Sequence, residues 1–111
     1  MARISPNNER TLEVYKDTGA KVRLMKAAAV EACVALGRVL TSSEMAKVRR
    51  AMDLLNDAVS AADSRMFNDH SEICGKGYAR VFYGNLNDED GTPLDKEIRR
   101  RAKEHADALF V

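Results

Sequence analysis

This chain of 111 residues has no tryptophan, and its six aromatic residues make up only 5% of it. A core must therefore be assembled mainly from aliphatic side chains and methionine. The only cysteines, Cys33 and Cys74, are too few for a disulfide framework. A reducing, cytoplasmic setting is expected on that count. Charge of one sign is lacking too: 18 basic and 17 acidic residues leave a formal net charge of +1. Overall charge thus exerts no pull toward nucleic acid or an anionic surface. Long apolar runs are missing. Ala27 to Leu36 is the longest, is interrupted by Glu31, and is too short to span a membrane. No apolar run follows Met1, so no signal peptide is expected. No internal repeat or low-complexity tract is present.

What remains is 45% hydrophobic and 32% charged, a globular balance. One domain over residues 1–111 is expected, large enough for a core without metal or disulfide staples. Between Met45 and Met66 the apolar residues Met45, Val48, Met52, Leu55, Val59, Ala62 and Met66 recur at alternating spacings of three and four. That is the period of one helix face lying along a partner. Val22, Met25, Ala29, Ala32, Leu36 and Val39 repeat the pattern upstream. Thr41-Ser42-Ser43-Glu44 reads as a capping box between the two stripes. The short connection implies helices folded back antiparallel.

Ser5-Pro6 is a candidate opening for a first helix, and Asp17-Thr18-Gly19 a candidate break after it. A helix continuing through Gly19 is the alternative, since one glycine costs only about 1 kcal/mol. Thr92-Pro93 should start a last helix bearing Leu94, Ile98, Ala102, Ala106 and Leu109. The expected fold is all-α: a long antiparallel helical hairpin with additional N- and C-terminal helices, a small helical bundle. The helices are placed at about 6–17, 20–40, 42–66 and 93–109. Residues 68–91 form an irregular connector, in which 78–83 is expected to be helical turn or ordered loop rather than an isolated strand.

Several residue groups invite a chemical reading. Asp88, Asp90, Gly91 and Glu97 fit part of an EF-hand calcium loop, but Leu86 occupies the first ligand position and Pro93 the usual aliphatic one. His70 and Cys74 share a helical spacing near Asp69 and Glu72, yet structural zinc needs a second pair. Cys74 as a nucleophile with His70 as base, and Gly75 and Gly77 as amide donors, lacks the remaining parts of such a site. A helix-turn-helix through Cys33 and Gly37 is disfavoured by the length of the flanking helices. No cofactor, metal or catalytic residue is therefore expected.

Two binding surfaces remain. Ala51, Leu54, Ala58 and Ala61 form a second stripe beside the first, which calls for a second packing partner. The expected function is a non-enzymatic protein-interaction module (adaptor, regulator or inhibitor of another protein), acting as a homo-oligomer through this surface. The alternative is nucleic-acid or anionic-nucleotide binding through Arg49, Arg50, Arg99, Arg100 and Arg101, which requires those groups to share a face.

Overall fold

The computed structural model describes residues 5–84, 86 and 91–109. Three α-helices carry it: α1, Leu12–Leu36; α2, Ser42–Asp69; and α3, Pro93–Leu109. Short 3-10 turns occupy Asn7–Glu9, Ser71–Ile73 and Tyr78–Arg80. Among the described residues there is no strand, and the protein is an all-α bundle built on an antiparallel hairpin.

The helix starts follow from their caps. Thr41 Oγ1 accepts from the Glu44 amide at 3.2 Å, and Glu44 Oε1 accepts from the Thr41 amide at 2.9 Å. Both halves of the capping box are thus made at the head of α2. Thr92 caps α3 through the Asp95 amide at 3.2 Å, with Pro93 at the first helical position.

The first helix differs from expectation at three points. Its start is Thr11, whose hydroxyl accepts from the Val14 amide, and not Pro6. Pro6 opens a 3-10 turn instead, accepting from the Glu9 amide at 2.9 Å. The chain entry is pinned there, because Arg10 forks onto Asp69 at 2.7 and 3.0 Å and its carbonyl meets His70 Nε2 at 2.7 Å. Second, the expected break at Asp17-Thr18-Gly19 does not occur. Thr18 Oγ1 donates to the Val14 carbonyl at 2.8 Å, and Asp17 is held by His105 at 2.7 Å. Asp17 is thus withdrawn from the backbone, and the Thr18 hydroxyl bonds back to a carbonyl one turn earlier, which the helix tolerates. Third, α1 ends at Leu36 rather than Leu40. Residues 37–40 turn back through Arg38 and Val39 amides bonded three residues upstream, which lets Thr41 reach its extended cap conformation. At the far end, α2 runs three residues past Met66, closed by the His70 amide on the Met66 carbonyl at 3.0 Å.

The core lies at one end of the hairpin. Tyr15, Ala20, Val59, Met66, Ile73, Val81, Phe82, Ile98 and Ala102 are buried together. They join the start of α1, the end of α2, the connector and α3, which packs along α1. The connector is a structural part of this core and not a surface loop. Gly75 and Gly77, with φ of 76° and 85°, supply left-handed turns that side-chain-bearing residues rarely adopt. The chain then folds Val81 and Phe82 into complete burial.

This connector also sets how α1 is rotated. Gly19, Arg23 and Lys26, spaced four and three apart, form the line that meets it. A Cβ on Gly19 would sit 2.6 Å from both the Val81 carbonyl oxygen and Val81 Cγ1. Arg23 Nε donates to the Val81 carbonyl at 3.1 Å, and Lys26 Nζ lies 4.7 Å from the centre of the Tyr83 ring. Consequently the α1 stripe does not bury as expected. Val22 and Ala29 are half-buried, whereas Met25, Ala32, Leu36 and Val39 are exposed. On α2, only Val59 and Met66 of the predicted stripe are buried; Met45, Val48, Met52, Leu55 and Ala62 are half-covered.

The close approach at Gly19 gives a testable sign reversal. Glycine to alanine inside a helix normally stabilises by about 1 kcal/mol. Gly19→Ala should instead destabilise by about 1–3 kcal/mol, because its methyl meets a backbone carbonyl that cannot swing aside. Urea titration followed by circular dichroism reads the difference, and an unchanged or raised midpoint would refute the tight packing.

Candidate interaction surface

The half of the hairpin away from the core is left largely uncovered. Val30, Val34, Val39 and Leu54 keep 60%, 59%, 75% and 58% of their accessible surface. Of the second stripe, all four members, Ala51, Leu54, Ala58 and Ala61, are exposed. The last helix does not cover them, because α3 packs along α1. Met25 and Leu36 each retain 36% exposure, extending the apolar surface around α1.

The dimensions agree with this openness. The Cα radius of gyration is 15.7 Å, against about 13 Å for a compact chain of this length. The accessible surface is 7750 Å², whereas a folded monomer of this mass shows about 6,100 Å². Most single side chains on a protein surface need no explanation, but Val30 and Val34, one helical turn apart, are exposed together.

The core end, by contrast, is closed by ion pairs. Arg23 Nη2 reaches Asp95 Oδ1 at 2.8 Å and also donates to the Arg80 carbonyl; both charged side chains are buried. Burial pushes the Asp95 carboxyl up, and the hydrogen bond and positive charge of Arg23 outweigh this and hold it below the ordinary carboxylate range. The fork of Arg10 and the hydroxyl of Tyr15 converge on Asp69, holding its carboxyl well below that range. Arg101 bonds Glu13 across the α1–α3 seam and Glu97 at 3.0 Å on its own helix. Asp63 differs: one carboxylate oxygen is buried without a hydrogen-bond partner, and burial raises its affinity for a proton. Among the described residues, two shallow clefts flank the core. One, of about 370 Å³, lies between Arg10, Tyr15, Arg65 and Phe82. The other, of about 400 Å³, is an apolar groove between Leu24, Met25 and Ala28 of α1 and Ala108 and Leu109 of α3.

The five candidate anion-binding arginines divide by location. Arg49 and Arg50 are exposed on the open half of α2. Arg101 is committed to the α1–α3 seam, Arg100 pairs with Glu104 at 2.6 Å, and Arg99 lies beside Gly91 and Asp95. Of the α3 group only Arg101 serves the helix packing; Arg100 is exposed and pairs along its own helix. The calcium-loop residues Asp88 and Asp90 lie outside the described residues. Glu97, the twelfth position of that pattern, is taken by Arg101 and by Lys16 at 3.4 Å. His70 is engaged by the Arg10 carbonyl and stands edge-on to Tyr15, while Cys74 is exposed. Among the described residues no three His, Cys, Asp or Glu side chains gather as a metal ion would require.

Sequence reasoning missed the Arg23–Asp95 pair and the Val30–Val34 exposure. The signal for the second was present, since Val30 and Val34 lie one turn apart and off the α1 stripe. The first had none, because an arginine 72 residues from its partner has no local pattern. Among the described residues no helix is long and apolar enough to cross a membrane. Compared with known protein families, curated proteins and solved structures, the chain matches none of them.

Proposed function

We propose that this protein is a non-enzymatic interaction module, an adaptor or regulator, that assembles as a homo-oligomer through the open half of its helical hairpin. The observation that carries this reading is the exposure of Val30, Val34, Val39 and Leu54 on two adjoining helices that make no core there. Water contact with that surface is unfavourable by roughly 25 cal/mol for each Å² that a partner could cover. The free thiols of Cys33 and Cys74 suit action in a reducing, cytoplasmic compartment.

Hydrogen exchange at two protein concentrations tests the reading. Amides of residues 26–58 have little packing to protect them in a lone chain and should exchange quickly in dilute solution. In concentrated solution they should slow, while those around Phe82, Met66 and Ile98 stay unchanged. Rates in 26–58 that are independent of concentration, with a monomeric mass throughout, would overturn it.

A further inference from the structure

We infer that the open hairpin is covered by a second copy of this chain, with the two α2 helices packed antiparallel about a twofold axis near Met52 and Asp53. This rests on the self-assembly reading above and adds to it the helix, the orientation and the register. Three features of the single chain lead there.

The first is shape. Ala51, Leu54 and Ala58 follow a three-four spacing, are exposed, and run along α2 beside its half-covered stripe. Such spacing is that of a seam between two helices, and alanine lets their backbones approach closely. With Ala51 set opposite Leu54 of the second copy, each leucine fills the space beside an alanine. Ala61 then lies beside the first turn of the second α2.

The second is charge. Residues 42–52 carry Lys47, Arg49 and Arg50 against the single acid Glu44. Residues 53–68 carry Asp53, Asp57 and Asp63 against the single base Arg65, Asp69 beyond them being held by Arg10. A parallel pair would set like charge beside like. An antiparallel pair sets the basic half of each helix beside the acidic half of the other. Arg50 and Asp57 are seven residues apart and so flank the same edge of the seam. In the register given, Arg50 of each copy lies beside Asp57 of the other, and twofold symmetry makes that contact twice. Both side chains are exposed, and among the described residues neither forms an ion pair within its own chain.

The third is area. The chain exposes roughly 1,600 Å² more than a compact monomer of its mass, and a standard dimer interface covers roughly 800 Å² on each partner. The excess over the whole chain is thus at least the size of one such face.

Sedimentation equilibrium of the full chain from low micromolar to near-millimolar concentration tests the inference, on wild type, Arg50→Glu, Asp57→Arg, the double swap Arg50→Glu/Asp57→Arg, and Leu54→Lys. Wild type should dimerise. Either single charge reversal should raise the dissociation constant roughly tenfold or more, since each turns two attractions into repulsions. The double swap should return it to near the wild-type value, and Leu54→Lys should give monomer. All three positions are exposed, so helical content and thermal midpoint of the monomer should stay unchanged and exclude misfolding as the cause. If wild type dimerises but the charge variants do not alter its dissociation constant, this register is wrong while self-assembly stands. If wild type stays monomeric at every concentration, the self-assembly reading falls and this inference with it.

Discussion

Replacing Arg23 with alanine should destabilise the protein by about 3–5 kcal/mol, the cost typical of removing one partner from a buried ion pair. The substitution removes the nearest counter-charge of the buried Asp95 carboxylate, leaving Arg80 at 3.9 Å. It also removes the donor to the Val81 carbonyl and one of the donors to the Arg80 carbonyl, which still accepts from the Gly84 amide at 3.0 Å. Gly84 packs its backbone directly against the guanidinium, so a void would open beside it as well. A chain of this length has only about 5–15 kcal/mol in total, so the variant should lie near the edge of folding. Arg23→Met/Asp95→Leu separates charge from packing. Replacing both ions by apolar groups of similar volume is often neutral or stabilising, so the double variant should recover most of the loss. Urea denaturation of the three proteins measures this. Equal loss in single and double variants would show that hydrogen bonds to the connector, and not the lost counter-charge, set the cost.

The second large effect is expected at Phe82. It is fully buried in the connector, beside Met66 and Ile98 of the core. Phe82→Ala should cost about 3–5 kcal/mol through lost transfer free energy and the cavity left behind. Val39→Ala and Leu54→Ala, on the open hairpin, should change the stability of the single chain by no more than about 0.5 kcal/mol. The contrast locates the stabilising contacts in the connector end. A loss at Leu54 comparable to that at Phe82, measured in dilute solution, would mean that the hairpin seam itself is the core.

Sequence pattern and tertiary structure divided the work unevenly. Helix α2, its capping box, the cap and first residue of α3, and the all-α class were legible because each depends on residues within one or two turns. Thr41 and Glu44 need only each other. The 3.6-residue period marks a helix wherever its apolar face comes to rest. The stripe through Ala51, Leu54, Ala58 and Ala61 was likewise visible as a second helix face, and the structure leaves it exposed.

Tertiary structure alone decided which face of α1 is used and where the core lies. The connector from Ser71 to Gly84 has no periodicity, yet it contributes Ile73, Val81 and Phe82 to the core and takes the Gly19–Arg23–Lys26 line of α1. Gly19 reads locally as a helix breaker. In the fold it is the site of closest approach to Val81, and the surrounding helix continues because tertiary contact outweighs a propensity cost of about 1 kcal/mol. The pairing of Arg23 with Asp95 spans 72 residues, a distance over which spacing carries no information. Local hydrogen bonding and periodicity thus wrote the helices into the sequence. Their rotation and the open hairpin came from non-local packing.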